Sequence, residues 1–238
     1  ASNAVRMIID ANSRISLSNN DSGDYNTVFG NDVGDPASGQ DHCTFIGHNV
    51  AATGTMTNAA DKNTGVGAWV LNDLTSGASN TGIGYDALAK LTTGSWNVCI
   101  GSAAGDNFDV EGGNVAIGND AMSGAINGAD NCVVIGNTAL GSGAATQDGS
   151  VGIGNNALLY LTSGLGNVAI GNNAGDALTT GDANTAIGYR ALSAEDTGDG
   201  SVAVGYDALG LQASDADEIA ANIGVGKDAG YNNVLGQN

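Results

Sequence analysis

The sequence predicts an all-β chain, a parallel β-solenoid of about twelve 17-residue turns. One observation is a short motif, seen as N-V-A-I-G-N-D-A at 114–121, that returns about twelve times. The glycines of the copies fall at Gly30, Gly47, Gly67, Gly84, Gly101, Gly118, Gly136, Gly154, Gly171, Gly188, Gly205 and Gly226. Seven of the eleven intervals are 17 residues and none is shorter. A second observation is that the 39 glycines hold fixed places in this repeat, beside a single proline. So regular a period marks stacked turns that each bury an apolar face on their neighbours.

With the glycine counted as position 0, position −1 is Phe29, Ile46, Val66, Ile83, Ile100, Ile117, Ile135, Ile153, Ile170, Ile187, Val204 and Val225. Position −3 is Thr, Val or Ile in every copy, from Thr27 to Ile223. Residues two apart share one strand face, so each copy reads as a short β-strand with one apolar, β-branched face. Position −2 is small in most copies, as in Gly65, Gly82, Ala116, Ala169 and Gly224. Small residues beside a repeated glycine predict close approach of another backbone, so both faces are expected to be buried.

Position +3 is Val33, Val50 and Val70, then alanine from Ala87 to Ala229, and position +4 is mostly leucine or glycine. These predict a second inward-facing segment after the glycine corner, followed by a polar return loop. Asparagine stands at −4 in Asn26, Asn63, Asn80, Asn97, Asn114, Asn167, Asn184 and Asn222. There it is expected to supply positive φ, to bond the backbone, and to stack into a ladder.

In chain order, residues 1–25 read as a lead-in or N-terminal cap, with short strands at Val5 to Ile9 and Ile15 to Leu17. Residues 26–232 are the array, with a loop insertion from Ala52 to Lys62 and a single helical turn capped by Ser214. Residues 233–238 read as a tail that continues in a longer chain. Acidic residues number 25 against 6 Lys and Arg, a net charge of −19. That charge makes nucleic acid and anionic lipid poor partners and keeps an edge-rich rod soluble. No apolar run reaches membrane-spanning length, so membrane insertion is not expected.

The sharper reading of the acids is a divalent cation such as Ca2+ held by Asp106, Asp109, Asp176 and Asp182 in the loops. No other cofactor is expected. Cys43, Cys99 and Cys132 all occupy repeat columns. At about 4.8 Å per turn, Cys43 and Cys132 stand about 24 Å apart and Cys99 and Cys132 about 10 Å, beyond disulfide reach. They read as small buried thiols, which fit assembly in a reducing compartment.

No G-x-S-x-G, H-E-x-x-H or P-loop motif occurs, and His42 and His48 are too few for a zinc site. Asp86, Asp120, Asp207 and Asp228 share position +2, which reads as a structural column and not as a catalytic pair. No catalytic residue is assigned and the chain is not expected to be an enzyme. Aromatics are the better functional hint. Trp69 and Trp96 lie in or near loops, while Tyr85, Tyr189 and Tyr206 share position +1. Such rings suit receptor contact, above all with a sugar, by stacking beside hydrogen-bonding side chains.

At 114–121, N-T-A-I-G-Y-R-A (184–191) and S-V-A-V-G-Y-D-A (201–208), the chain resembles the head repeat of YadA-like trimeric autotransporter adhesins. The same kind of repeat recurs in bacteriophage tail fibres. The resemblance covers roughly residues 26–232 and implies left-handed β-rolls, three chains side by side. The period near 17 departs from the adhesin repeat of about 14 to 15, and neck, stalk and membrane anchor are lacking. The expected function is a structural and adhesive segment of an extracellular or virion fibre, a homotrimer that meets a cell-surface glycan or protein receptor. A bacteriophage tail fibre for host attachment is preferred to a bacterial adhesin head, and a polysaccharide-degrading tailspike is the enzymatic alternative.

Overall fold

A computed structural model describes residues 25–34, 39–124, 128–142, 148–212 and 221–232. The expected lead-in strands, the turn at Ser214 and the tail lie outside these residues. Twelve strands form one parallel sheet in sequence order, with no helix among the described residues. They are β1 (Thr27–Asn31), β2 (Thr44–His48), β3 (Thr64–Ala68), β4 (Thr81–Tyr85), β5 (Val98–Ile100) and β6 (Val115–Ile117). Then come β7 (Val133–Ile135), β8 (Val151–Ile153), β9 (Val168–Ile170), β10 (Thr185–Ile187), β11 (Val202–Val204) and β12 (Ile223–Val225). Each strand pairs with the next column on column, as in Thr81 with Val98 and Ile83 with Ile100. The chain is therefore a β-solenoid.

The corner glycine sets this register. At Gly136 φ is +146°, a region that L side chains rarely adopt, and a Cβ built there would lie 2.2 Å from the carbonyl oxygen of Gly154 in the next turn. The same collision recurs from Gly30 to Gly205. A side chain at any of these corners would force adjacent turns apart.

Two further positions bend the path. Position +2 is left-handed in all twelve turns, from Asp32 to Asp228, and +4 is left-handed in most, with Leu88, Leu158 and Leu192 at φ near +54°. Asp and Asn tolerate that conformation, which explains their recurrence at +2. Leucine there carries local strain that is offset by complete burial. In two turns where +4 is a relaxed glycine, the core is filled from +7 instead, by Phe108 beside Gly105 and Leu178 beside Gly175.

The small-residue face does not meet another chain. Ala116, Val134, Ala169, Ala186 and Ala203 at −2 are buried inside the turn against the +3 and +4 columns. Gly65 and Gly82 sit there because valine stands opposite, with Cβ positions only 2.6 and 2.7 Å from Cγ1 of Val50 and Val70. The β-branched face at −1 and −3 points outward and stays half-exposed, reaching 37% at Ile83 and 74% at Ile223 in the terminal strand. Within one chain, alternation puts the small side chains in a narrow lumen and leaves the bulky ones on its surface, so only the first of the two faces expected to be buried is covered by the chain itself.

The asparagine ladder exists, but its residues are not the positive-φ ones. That conformation lies one residue earlier, at Ser79, Trp96, Gly113, Asn131 and Ala183. Asn97 is completely buried. Its Nδ2 donates to Asn80 Oδ1 (3.1 Å) and to the Glu111 carbonyl (2.7 Å), while its own Oδ1 accepts from Asn114 N–H (3.1 Å). The run from Asn63 stops at Cys132, whose N–H donates to Asn114 Oδ1 (2.9 Å). It resumes beyond Ser150 with Asn167, Asn184 and Ser201. The insertion at 52–62 packs onto the array, with Met56 and Ala60 buried and Thr57 N–H bonded to the Thr75 carbonyl at 2.7 Å.

Two outcomes follow for stability. Gly82→Ala is expected to cost about 1–3 kcal/mol by overpacking. In chemical denaturation the Val70→Ala/Gly82→Ala pair should be about 1–2 kcal/mol better than the sum of the singles. Asn97→Ala, which orphans a buried N–H and a carbonyl, should cost about 2–4 kcal/mol. Asn97→Ser should cost less, since serine serves this column at positions 150 and 201.

Candidate functional edge

The +1 and +2 positions form a continuous edge just beyond the corner glycines. Along it, each +2 N–H donates to the +1 carbonyl of the preceding turn, from Asn49 to Asn31 (3.0 Å) through Trp69 to His48 (2.9 Å) and on to Asp228 to Tyr206 (2.9 Å). One hydrogen-bond rail thus fixes the side chains of the whole edge at the turn spacing. Four of the expected receptor-contact residues, Trp69, Tyr85, Tyr189 and Tyr206, lie on it and are exposed. Trp96 does not. It stands 72% exposed at −5, on another corner.

Ring geometry separates these aromatics. Tyr189 and Tyr206 stack on one another, centroids 5.1 Å apart and 16° between planes, and Lys227 Nζ lies 5.6 Å over Tyr206. Their shared faces are therefore occupied and their edges face solvent. Trp69 and His48 meet at right angles, centroids 6.0 Å apart, and Trp69 stays partly open to solvent.

Between the aromatics lies a feature that motif reading missed. Asn119, Asn137, Asn155 and Asn172 at +1 form a second, outer amide ladder, with Nδ2 donating to the preceding Oδ1 at 3.0, 3.1 and 3.2 Å. At +2 a parallel run links Thr138, Asn156 and Asn173. Four successive asparagines in column +1 were the available signal, masked because the repeat directs attention to its invariant glycine.

The four aspartates considered for a cation do not converge. Asp109 accepts from the Thr92 hydroxyl and Asp182 from Leu165 N–H (2.7 Å), so each ties one turn to its neighbour. Asp106 and Asp176 are half-buried, and burial raises both carboxyls above the ordinary range. At Asp106 repulsion from Asp120 and Asp86 adds to this and Lys90 opposes it, while Arg190 opposes it at Asp176. Among the described residues, no three His, Cys, Asp or Glu side chains are placed to hold a metal ion. Asp86, Asp120, Asp207 and Asp228 all occupy the left-handed +2 position, and Asp207 Oδ1 pairs with Arg190 Nε at 3.6 Å.

The three thiols are buried, and no disulfide joins them. Burial pushes all three up in pKa, most at Cys99, which keeps them as inert thiols at neutral pH. Compared with known proteins, the chain matches no family model, no curated protein and no solved structure.

The raised Asp176 carboxyl gives a pH signature. The folded state binds its proton more tightly than the unfolded chain, so a penalty for the charged form is present above the raised pKa. It disappears as pH falls below the ordinary aspartate value near ~3.9. Asp176→Asn should therefore raise the melting temperature at pH 7 by about 1–3 °C, and the gap to the parent should close in a scan down to pH 3.

Proposed function

We propose that the chain is a structural and adhesive segment of an extracellular or virion fibre, working as a parallel homotrimer. The observation that carries this is the outward β-branched stripe at −1 and −3. Twelve strands about 4.8 Å apart make it about 53 Å long, and with a width of about 10 Å it covers roughly 500 Å2. That is near the upper end of apolar patches on monomers, which mark interaction sites. Three such stripes meeting along one axis would bury about 1,500 Å2 in all, about 500 Å2 for each pair of chains, so each pairwise contact is small and the assembly depends on closing all three.

In this reading three left-handed rolls lie side by side with the β-branched columns at the centre and the +1/+2 edges accessible along the rod. Contact falls to valine and isoleucine, not to the small residues first expected to make it. The adhesive surface is the +1/+2 edge, directed at a cell-surface glycan or protein receptor. Of the possible owners, a bacteriophage tail fibre mediating host attachment is supported by three buried thiols without a disulfide and by the 17-residue period. A bacterial adhesin head shares the repeat but has less support from these features. For a tailspike hydrolase the recurrent aspartates offer no distinct pair, since their position follows from backbone conformation.

Solution mass tests the assembly. Sedimentation of the 23.3 kDa chain should give about 70 kDa. Ile135→Glu, which places a charge mid-stripe, should shift the mass toward that of a single chain. A parent mass of one chain in dilute buffer would sink the trimer.

A further inference from the structure

In the middle of the outer ladder both Nδ2 hydrogens of Asn137 and of Asn155 are committed to the rod. Asn137 donates to Asn119 Oδ1 at 3.0 Å and to its carbonyl at 3.3 Å, and Asn155 repeats this on Asn137 at 3.1 Å each. Oδ1 of Asn119, Asn137 and Asn155 each accepts one amide bond from the next turn and retains a second lone pair. The ladder therefore offers a row of aligned amide acceptors at one-turn spacing. In three successive turns, at Asn137 and Thr138, Asn155 and Asn156, and Asn172 and Asn173, positions +1 and +2 carry no charge. Other turns are uncharged there too, as at Ala68 and Trp69 and at Ser102 and Ala103, but these three are consecutive and all carry the amide ladder.

A matching partner is rich in donors, bears no negative charge, and repeats at about 4.8 Å. Hydroxyl groups of an extended polysaccharide meet all three conditions, one sugar to a turn. Trp69, an exposed ring four turns from Asn137 on the same edge, suits the C–H face of a pyranose. From this geometry we infer that the +1/+2 edge binds a linear neutral polysaccharide laid parallel to the rod axis. The inference rests on the adhesive reading above and specifies its ligand class.

The array makes affinity depend on ligand length, since each added sugar meets another turn until the neutral interval and its flanks are filled. Polyanionic glycans are disfavoured by Asp120 at one end of the interval and by the net charge of −19, while Arg190 at the other end is paired with Asp207. Trp96, on a different corner, takes no part.

The test titrates the full chain with cello-, manno-, xylo- and chito-oligosaccharides of two to eight units. At least one series should bind with affinity rising several-fold between two and six units and then levelling. Asn137→Ser/Asn155→Ser, chosen because Ser102 occupies the same column, should weaken binding about ten-fold or more with an unchanged sedimentation mass. Trp96→Ser, chosen because Ser79 holds the same left-handed position one turn earlier, should leave binding as it was. Melting curves confirm that each variant is folded. Should the double variant fail to fold, the single Asn155→Ser, inside the neutral interval, replaces it with the same expected direction.

Several results would overturn the assignment. One is absence of length-dependent binding in all four series, and another is unchanged affinity in the folded edge variants. Loss of the oligomeric mass on Asn137→Ser/Asn155→Ser would place the ladder between chains instead. Binding of a lysine octamer, lost in the same variants while no glycan binds, would make the partner a cationic peptide. Cell adhesion without glycan binding would defeat this inference and leave the fibre reading intact, whereas glycan binding by a monomer would do the reverse.

Discussion

Each corner glycine from Gly30 to Gly205 lies against the carbonyl of the next, and the rest of the structure depends on that approach. With φ between +134° and +149° and no room for a methyl group, these corners fix how each turn leaves the strand and how near its neighbour lies. Column-true register follows, since a slip of one residue would bring a side chain against that carbonyl. Register in turn brings like residues over like. Asparagine then finds asparagine, valine finds glycine, and tyrosine finds tyrosine.

Burial and hydrogen bonding are divided between two sides of that corner. Inside, alanine, leucine and an occasional phenylalanine fill a lumen too narrow for larger pairs, with polar asparagines satisfied by the turn above and the turn below. Outside, a stripe of valine and isoleucine runs beside an edge of amides and aromatics. The stripe and the edge differ in chemistry, one apolar and the other polar, and the partners proposed for them differ accordingly, a copy of the chain and a polymer.

Much of the fold was legible in the sequence because a repeat multiplies weak signals. The twelve strands, their parallel stacking, the asparagine ladder and the buried thiols all follow from columns that agree in nearly every copy. Which face looked inward was not legible. Alternation gives the two faces but not their sides, and Ala116 with Ile117 is as consistent with a small-residue interface as with a small-residue lumen. Left-handed Leu88 and Leu192 were also hidden, since no propensity favours leucine there and only packing accounts for it. At the site, Trp69 and the tyrosines stood out by residue type, whereas the outer amides became visible only when +1 was followed through space from turn to turn.

The inner ladder is interrupted once in mid-rod, at Cys132 and Ser150, where a thiol and a hydroxyl stand in for two amides. Each turn touches only its neighbours, so stiffness along such a rod is local and cannot be borrowed from distant parts. A change at one rung of the ladder is therefore felt by the turn above and the turn below and fades along the rod.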